Sequence, residues 1–389
     1  MSPGAPLLAF SPVDILFDYR PALRQRTGVG EYAHELARAL AQVLAGADRL
    51  RLFTSSWKDR PSAGLAAGWP RTTVLDRRMP VRPLAFAWHR LGWPAIETLA
   101  GPADIVQSLH PLLIPTRRAL QAITIHDLDF LAHPERTSAE IRRDYGALVR
   151  EHARRAALVV VNSADTAASV RRILAVPADR VAICRPGVPA WIGTPRPRPA
   201  SEDGYVLFVG TLEPRKNLGA LLDAWEIVAS ADPRARLRVA GGVAPGGEAW
   251  VARMGRDPLA RTVEYVGYVE TGERRTLYQG AAVLVLPSFH EGFGLPVLEA
   301  MALGVPVIVS DRGALPEVAG DAGLIVQPED PRDLAAAIRA VLDDQERSAS
   351  MRARGLARAA TFTWEAAARA LHDAYGRLLA GEAARAHRH

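Results

Sequence analysis

Residues 289–300 read FHEGFGLPVLEA and set two carboxylates, Glu291 and Glu299, eight positions apart with two glycines and a proline between them. The glycines let backbone N–H groups come close to a ligand, and a helix start favours anionic oxygens. Pro296 suits the first turn of a helix, so Gly292-Phe293-Gly294-Leu295 is expected as the loop that enters it. Glu299 is then expected within the first turn or so, directed towards the ligand. A carboxylate there cannot hold phosphate, but it can accept two hydroxyl hydrogen bonds, as from a ribose, each worth about 1.5–3 kcal/mol. Glu291, before the glycines, falls nearer the phosphate and the group it carries. On spacing alone, a helix-capping carboxylate is the plainer alternative for Glu299.

A second candidate lies in residues 208–218, FVGTLEPRKNL. Gly210 permits a tight turn after an apolar run, and Arg215 and Lys216 follow together. The chain has 46 arginines and only two lysines, Lys58 and Lys216, so a lysine here runs against its composition. Two adjacent cations at a strand end suit a diphosphate, because they stabilise the charge that grows as the leaving group departs. A surface pair near a helix start is the alternative, although the helix dipole disfavours cations there. His126 and His110 each stand near the end of an apolar run; His126 reads as a functional strand-end residue or as a satisfied strand-end histidine, and His110 as a contact for an acceptor. Asp127-Leu128-Asp129 has a metal-binding D-x-D pattern but sits within the same segment as His126. His290 reads as a polar loop group and Ser163 as a helix cap.

These residues need a scaffold that brings them to one edge. Between residues 13 and 187, apolar β-rich runs (VDILFDYR, RLRLFTSS, ADIVQSLH, QAITIHD, ALVVVNS, VAICRPG) alternate with helical spacing at 29–44, 138–156 and 164–174. Several runs are apolar throughout, as for parallel strands buried on both faces. Residues 188–204 hold four prolines and no apolar period, which predicts a linker. The alternation restarts at YVLFVG and continues through ARLRVAGG, TVEYVGYV, AAVLVLPS, VPVIVSD and GLIVQP. Helices are expected near 218–230 and at 330–343, 345–360 and 364–381. The expected fold is α/β, with two doubly wound parallel domains. Residues 1–190 form the first, 191–204 the linker and 205–363 the second, with the C-terminal helix returning to the first. Ligands of open α/β sheets bind at the carboxyl ends of the strands.

Composition narrows the classes. At 389 residues, two domains are the prior. The single cysteine, Cys184, allows no intrachain disulfide. The N-terminus lacks a basic n-region, and no apolar run approaches the ~18 residues that span a bilayer, so the cytoplasm is the expected compartment. The net charge of +6 divides into +9 for residues 1–196 and −3 for the remainder. No nucleic-acid motif accompanies the basic half. An anionic membrane surface is the partner it could meet, through the arginine-rich stretch 141–155 among others, and a solvated face is the alternative.

The segment FHEGFGLPVLEAMALGVPVIVSDRGALPEV resembles the E-x₇-E region of the retaining GT-B glycosyltransferases of family four, which includes many bacterial mannosyltransferases. FVGTLEPRKNL resembles that family's donor-phosphate segment, TIHDLDFLAHPE its histidine segment, and DYRPALRQRTGVGEYAHEL its first strand–loop–helix. GYVETGERRTLYQGA resembles the segment around the nucleotide base, and FTWEAAARALHDAYGRLL the returning C-terminal helix. The resemblance covers nearly the whole chain in order and implies two domains facing across a cleft. It assigns Arg215 and Lys216 to the donor diphosphate, with Gly210 at the strand end that leads to them. Glu299 takes the ribose hydroxyls and Glu291 the sugar hydroxyls near C3. The backbone of Phe293, Gly294 and Leu295 lines phosphate and sugar, and Tyr268 and Val269 fall in the base segment. From the first domain, Gly30 lets the backbone approach the donor and His126 sits beside the transferring carbon.

The implied donor is a nucleotide diphosphate sugar, GDP-mannose by resemblance in the TLEPRKN segment. The implied acceptor is a hydroxyl of a glycan or lipid-linked saccharide. Retention of configuration and independence from any metal or other cofactor are likewise implied. Glucosyl or rhamnosyl transfer from UDP or dTDP donors, and a catalytically silent nucleotide-sugar binder, are the alternatives.

Overall fold

The computed structural model describes residues 12–23, 28–133, 145–193 and 204–386. The chain divides into two compact units, residues 1–187 with 363–389, and residues 188–362. Each is an α/β unit built on one parallel sheet.

The first sheet contains β1 (Asp14–Asp18), β2 (Arg49–Ser55), β3 (Thr72–Arg77), β4 (Ile105–Ser108), β5 (Leu120–Ile125), β6 (Leu158–Val161) and β7 (Val181–Ile183). Their order across the sheet is β3-β2-β1-β4-β5-β6-β7. β4 and β6 are buried at every position, which is why their sequences read as unbroken runs. β3 escapes that signature. It is an edge strand, TTVLDR, with no fully buried residue, so its sequence carries neither a continuous apolar run nor a clean alternation.

The second sheet contains β8 (Tyr205–Val209), β9 (Leu237–Ala240), β10 (Val263–Gly267), β11 (Ala281–Leu286), β12 (Val307–Ser310) and β13 (Leu324–Val326), in the order β10-β9-β8-β11-β12-β13. The winding direction reverses between β1 and β4 in one sheet and between β8 and β11 in the other. At such a point the two flanking loops leave in opposite directions and open a crevice at the strands' carboxyl ends.

Helices cover the faces. Val29–Val43 and Ala164–Leu174 follow the expected spacing. Ser163 caps the latter, its Oγ accepting from the Thr166 N–H at 3.0 Å, a bond worth about 1 kcal/mol. Of the helix expected over 138–156, Gly146–Arg155 is present, and 134–144 lie outside the described residues. The returning helix, Trp364–Ala386, runs past its expected end. It buries Trp364, Leu371 and Tyr375 in the same core as Leu36 and Leu40 of Val29–Val43. Inside that core the Tyr375 hydroxyl donates to Gln107 Oε1 at 2.7 Å.

The linker expectation needs a correction. Residues 188–193 belong to the second unit. Ile192 is 1% exposed within its core, and the Val188 N–H donates to the Phe362 carbonyl at 3.1 Å. The prolines punctuate the segment without keeping its apolar residues out of the core. Residues 194–203 lie outside the described residues. Among the described residues, no helix is long and apolar enough to cross a membrane.

Candidate active site

In the second unit, adjacent strands bring the two candidate motifs together. Past β8 the chain makes a 3₁₀ turn, Pro214–Lys216, and Asn217 then takes a left-handed conformation at the start of helix Leu218–Ala231. The buried Asn217 amide donates to the carbonyls of Pro287 and Pro328 at 3.1 and 2.7 Å. The Phe289 N–H donates to the Arg215 carbonyl at 2.9 Å. These bonds fasten the turn after β8 to the loop after β11, where the winding reverses.

The result is a compact charge cluster. Lys216 Nζ donates to Glu291 Oε1 at 2.5 Å, and Ser288 Oγ donates to the same oxygen at 2.7 Å. Arg215 Nη1 reaches Glu291 Oε2 at 3.2 Å and the His290 carbonyl at 2.9 Å, and its Nη2 pairs with Glu213 at 2.7 Å. Burial alone would raise the Glu291 pKa. The Lys216 and Arg215 charges, with the bonds from Lys216 and Ser288, outweigh burial and hold the carboxyl down at about 2. Glu291 is therefore a fixed anion that aligns two cations.

Its backbone is fixed by Gly313, which has φ +59°. A Cβ there would lie 2.5 Å from the Glu291 carbonyl oxygen and 2.8 Å from its nitrogen. No other residue type fits. Gly210 is different. Its φ is not positive, and an added Cβ would sit 3.5 Å from Lys216 Cε, in ordinary contact. The chain bends at Gly210 without a backbone conformation that requires glycine.

Glycines carry the chain on into helix Leu295–Ala302. Gly294, with φ +100°, is its N-cap and offers no side-chain cap. The first-turn N–H groups thus have no capping side chain, and such a helix start attracts anionic oxygens. Leu295 is the first residue of this helix and not part of the loop. Phe293 is buried, its ring edge-on to Phe362 at 5.8 Å, so only its backbone can serve a ligand.

Glu299 is the fifth helical residue, beyond the position expected for it, and is buried. Tyr278 Oη donates to its Oε2 at 2.6 Å, and Arg274 Nη1 stands 3.5 Å from Oε1. Burial raises its pKa, and the Arg274 charge and the Tyr278 bond offset only part of that. Arg274 and Tyr278 lie four apart on helix Thr271–Gln279, which turns both towards the same carboxylate. Trp191 completes the cluster. Its ring stacks on Tyr278 with centroids 6.4 Å apart, and the Arg274 guanidinium lies 5.4 Å from its centroid. Glu299 is thus not a helix cap. Tyr268 and Val269 follow β10 just before this helix, Tyr268 exposed and Val269 packed on the core.

In the first unit, Gly30 is buried in the first turn of Val29–Val43. His126, after β5, places Nε2 3.2 Å from the Leu109 carbonyl, and its ring meets Tyr32 edge-on at 5.1 Å. Burial lowers its pKa, against the pull of the Leu109 carbonyl and Asp127. His110 stands two residues past β4, its Nε2 3.7 Å from Asp18 Oδ2 at the end of β1. Arg20 grips Asp18 with two bonds, at 2.7 and 2.8 Å. Burial takes His110 down to about 4, with Asp18 opposing and Arg20 assisting. This cluster occupies the first sheet's own reversal point. Asp127 accepts from the Asp129 N–H at 3.2 Å in a local turn, and no group of metal-ligating side chains occurs among the described residues.

Sequence reasoning did not single out Asn217, Ser288, Gly313, Arg274, Tyr278, Trp191, Asp18 or Arg20 as site residues. The i, i+4 spacing of Arg274 and Tyr278 was the one local signal available. Ser288 and Arg20 act on near neighbours, Glu291 and Asp18, whereas Asn217, Gly313 and Trp191 act through residues far away in sequence.

Two doubly wound parallel sheets, one with a cation and carboxylate cluster at its reversal point, define the class of the architecture as double-domain α/β. Residues 26–190 match the family described as Glycosyltransferase Family 4, and residues 203–344 match Glycosyl transferases group 1. The O-antigen chain mannosyltransferase B of Escherichia coli is 32% identical over 377 residues, covering 90% of this chain and 96% of that protein. This chain belongs to the family-four, group 1 glycosyltransferases. Among solved structures, sucrose-phosphate synthase from Thermosynechococcus elongatus superposes with a TM-score of 0.76 at 23% identity, over 94% of this chain and 99% of that one. HepE from Anabaena in complex with UDP-glucose gives 0.66 at 18% identity, over 93% and 98%. These two likenesses establish the GT-B fold.

Proposed function

We propose that this glycosyltransferase moves a mannosyl residue, with retention and without a metal, from GDP-mannose to a hydroxyl of a glycan or lipid-linked saccharide. The observation that carries the reading is the Arg215–Lys216 pair, aligned by Glu291 beside an uncapped helix start. Two fixed cations there can neutralise a departing nucleoside diphosphate, the role a metal plays in other sites. The helix N–H groups add donors for the same phosphates. Glu291 contacts the sugar hydroxyls and Glu299 the ribose, and the base lies towards Tyr268 and Val269. As the bond from the anomeric carbon to the leaving phosphate breaks, the acceptor oxygen bonds to that carbon on the same face and its proton passes to the departing phosphate, which gives retention. His126 lines the transferring carbon and His110 the acceptor.

The choice of mannose is supported by the 32% identity to the O-antigen chain mannosyltransferase B across nearly its full length. Glucosyl transfer from UDP-glucose is the second reading, favoured by the fold shared with the HepE complex. The test is a thermal-shift panel of GDP, UDP, dTDP and ADP and their sugar conjugates, with and without chelator, followed by transfer from the stabilising donor. A shift with GDP-mannose that survives chelation is expected. A shift confined to UDP sugars replaces mannose with glucose, and loss of the shift on chelation removes the metal-free mechanism.

A further inference from the structure

In the first unit, an α-helical turn, Val81–Phe86, continues into a π-helical turn, Ala87–Leu91. Its inner side is anchored. Leu84 and Trp88 are buried with Phe53 and Ile96, and the Trp88 Nε1–H donates to the Pro94 carbonyl at 3.0 Å. Its outer side is unusually apolar for a surface. Phe86 is 61% exposed, Leu91 65% and Trp93 69%. Trp57, 68% exposed, joins them, because its Nε1–H donates to the Arg78 carbonyl at 3.0 Å. Single exposed apolar residues need no explanation, but several large ones along one short segment mark a binding surface.

The charge around them selects the partner. Residues 77–96 contain Arg77, Arg78, Arg82 and Arg90 and no acidic residue. All four are exposed. Aromatic and aliphatic side chains among arginines suit the boundary of an anionic bilayer, where rings enter the headgroup layer and guanidinium groups meet lipid phosphates. The described part of the stretch that the sequence nominated for this role, Gly146–Arg155, does not have that character. Gly146–Arg155 exposes Arg150, Glu151, Arg154 and Arg155 but no large apolar side chain, and Arg155 pairs with Glu151 at 2.9 Å.

We propose that the surface formed by Trp57 and the segment from Arg77 to Trp93 docks the chain reversibly on an anionic lipid bilayer. The proposal goes beyond the transfer reaction and does not rest on the choice of donor.

The test is co-sedimentation of the full chain with phosphatidylcholine vesicles and with vesicles that also contain phosphatidylglycerol, alongside tryptophan emission. Binding to the anionic vesicles only, weakening as salt rises, with a blue shift from Trp57 and Trp93, is expected. Arg78→Ala with Arg82→Ala should lower the partition coefficient about 30-fold, at roughly a tenfold loss per 1.4 kcal/mol. Phe86→Ser with Leu91→Ser and Trp93→Ser should abolish the blue shift, while the nucleotide-induced thermal shift stays as in the parent, which separates lost docking from lost folding. Equal binding by parent and both variants overturns the proposal. So does salt-insensitive binding, or a parent dimer that the triple variant converts to monomer, which would make a second copy the occupant.

Discussion

Glu291 and Glu299 are the same residue type, eight positions apart and both buried, yet their surroundings hold their protons in opposite ways. Around Glu291, a lysine, an arginine and a serine hydroxyl converge and force the carboxyl to stay ionised. Around Glu299, one close phenol and one distant guanidinium leave burial dominant, and the carboxyl holds its proton more tightly than usual. Burial is therefore not a property that by itself predicts charge, because the number and distance of compensating donors decide it. One glutamate is a permanent counter-ion for Lys216 and Arg215. The other is less strongly compensated, with a charge that donor hydroxyl groups would stabilise on binding.

The difference can be broken most forcefully at Lys216. Lys216→Ala leaves the leaving-group charge to Arg215 alone, and turnover should fall by about 10²–10³ or more in a chain that still melts cooperatively. Near-normal turnover in a radiolabelled sugar-transfer assay would remove the assignment. Glu299→Gln should act on binding. The donor dissociation constant should rise about tenfold to a hundredfold, the loss of one charge-assisted bond, with turnover at saturating donor little changed. Calorimetry that finds the parent's affinity would disconnect Glu299 from the ribose.

The pH dependence of folding separates the two directly. Glu291 has a depressed folded pKa, so the stability it contributes is present above the usual carboxylate range and is lost as pH falls towards about 2. Glu299 has a raised folded pKa, so its contribution is present below that range and is lost as pH rises through its folded value. Urea unfolding from acidic to mildly alkaline pH should show Glu291→Gln flattening the acid limb, and Glu299→Gln gaining on the parent as pH rises. Parallel curves for the two variants would refute the contrast. The smallest effect belongs to Tyr278→Phe, which removes one hydrogen bond worth about 1 kcal/mol. Donor affinity should weaken only several-fold, and the Glu299 proton should be held more tightly still.

Legibility in the sequence followed burial. Of the thirteen strands among the described residues, twelve lie in runs recognisable from their apolar character, and the exception, β3, is an edge strand with half-buried residues. Trp191 and Ile192 were obscured by neighbouring prolines, which signal turns irrespective of what the residues between them touch. At the site, Arg215, Lys216, Glu291 and the glycines stood out through local chemistry. Asn217 was harder to see, because its role depends on carbonyls 70 and 111 positions away. Gly313 was equally hidden, since a glycine's necessity shows only in the backbone that passes beside it.

The sequence by itself determined the alternation of buried strands and amphipathic helices, and hence two parallel α/β units with chemistry at their strand ends. That information is local, written in the period of apolar residues and the rarity of a lysine among arginines. Only the tertiary structure decided that Lys216 and Arg215 meet Glu291 while Tyr278 and Arg274 meet Glu299. Strand order makes β8 and β11 neighbours although 71 residues lie between the end of β8 and the start of β11. The charge state of each carboxylate follows from that adjacency, because Coulomb energy depends on distance in space and not on distance along the chain.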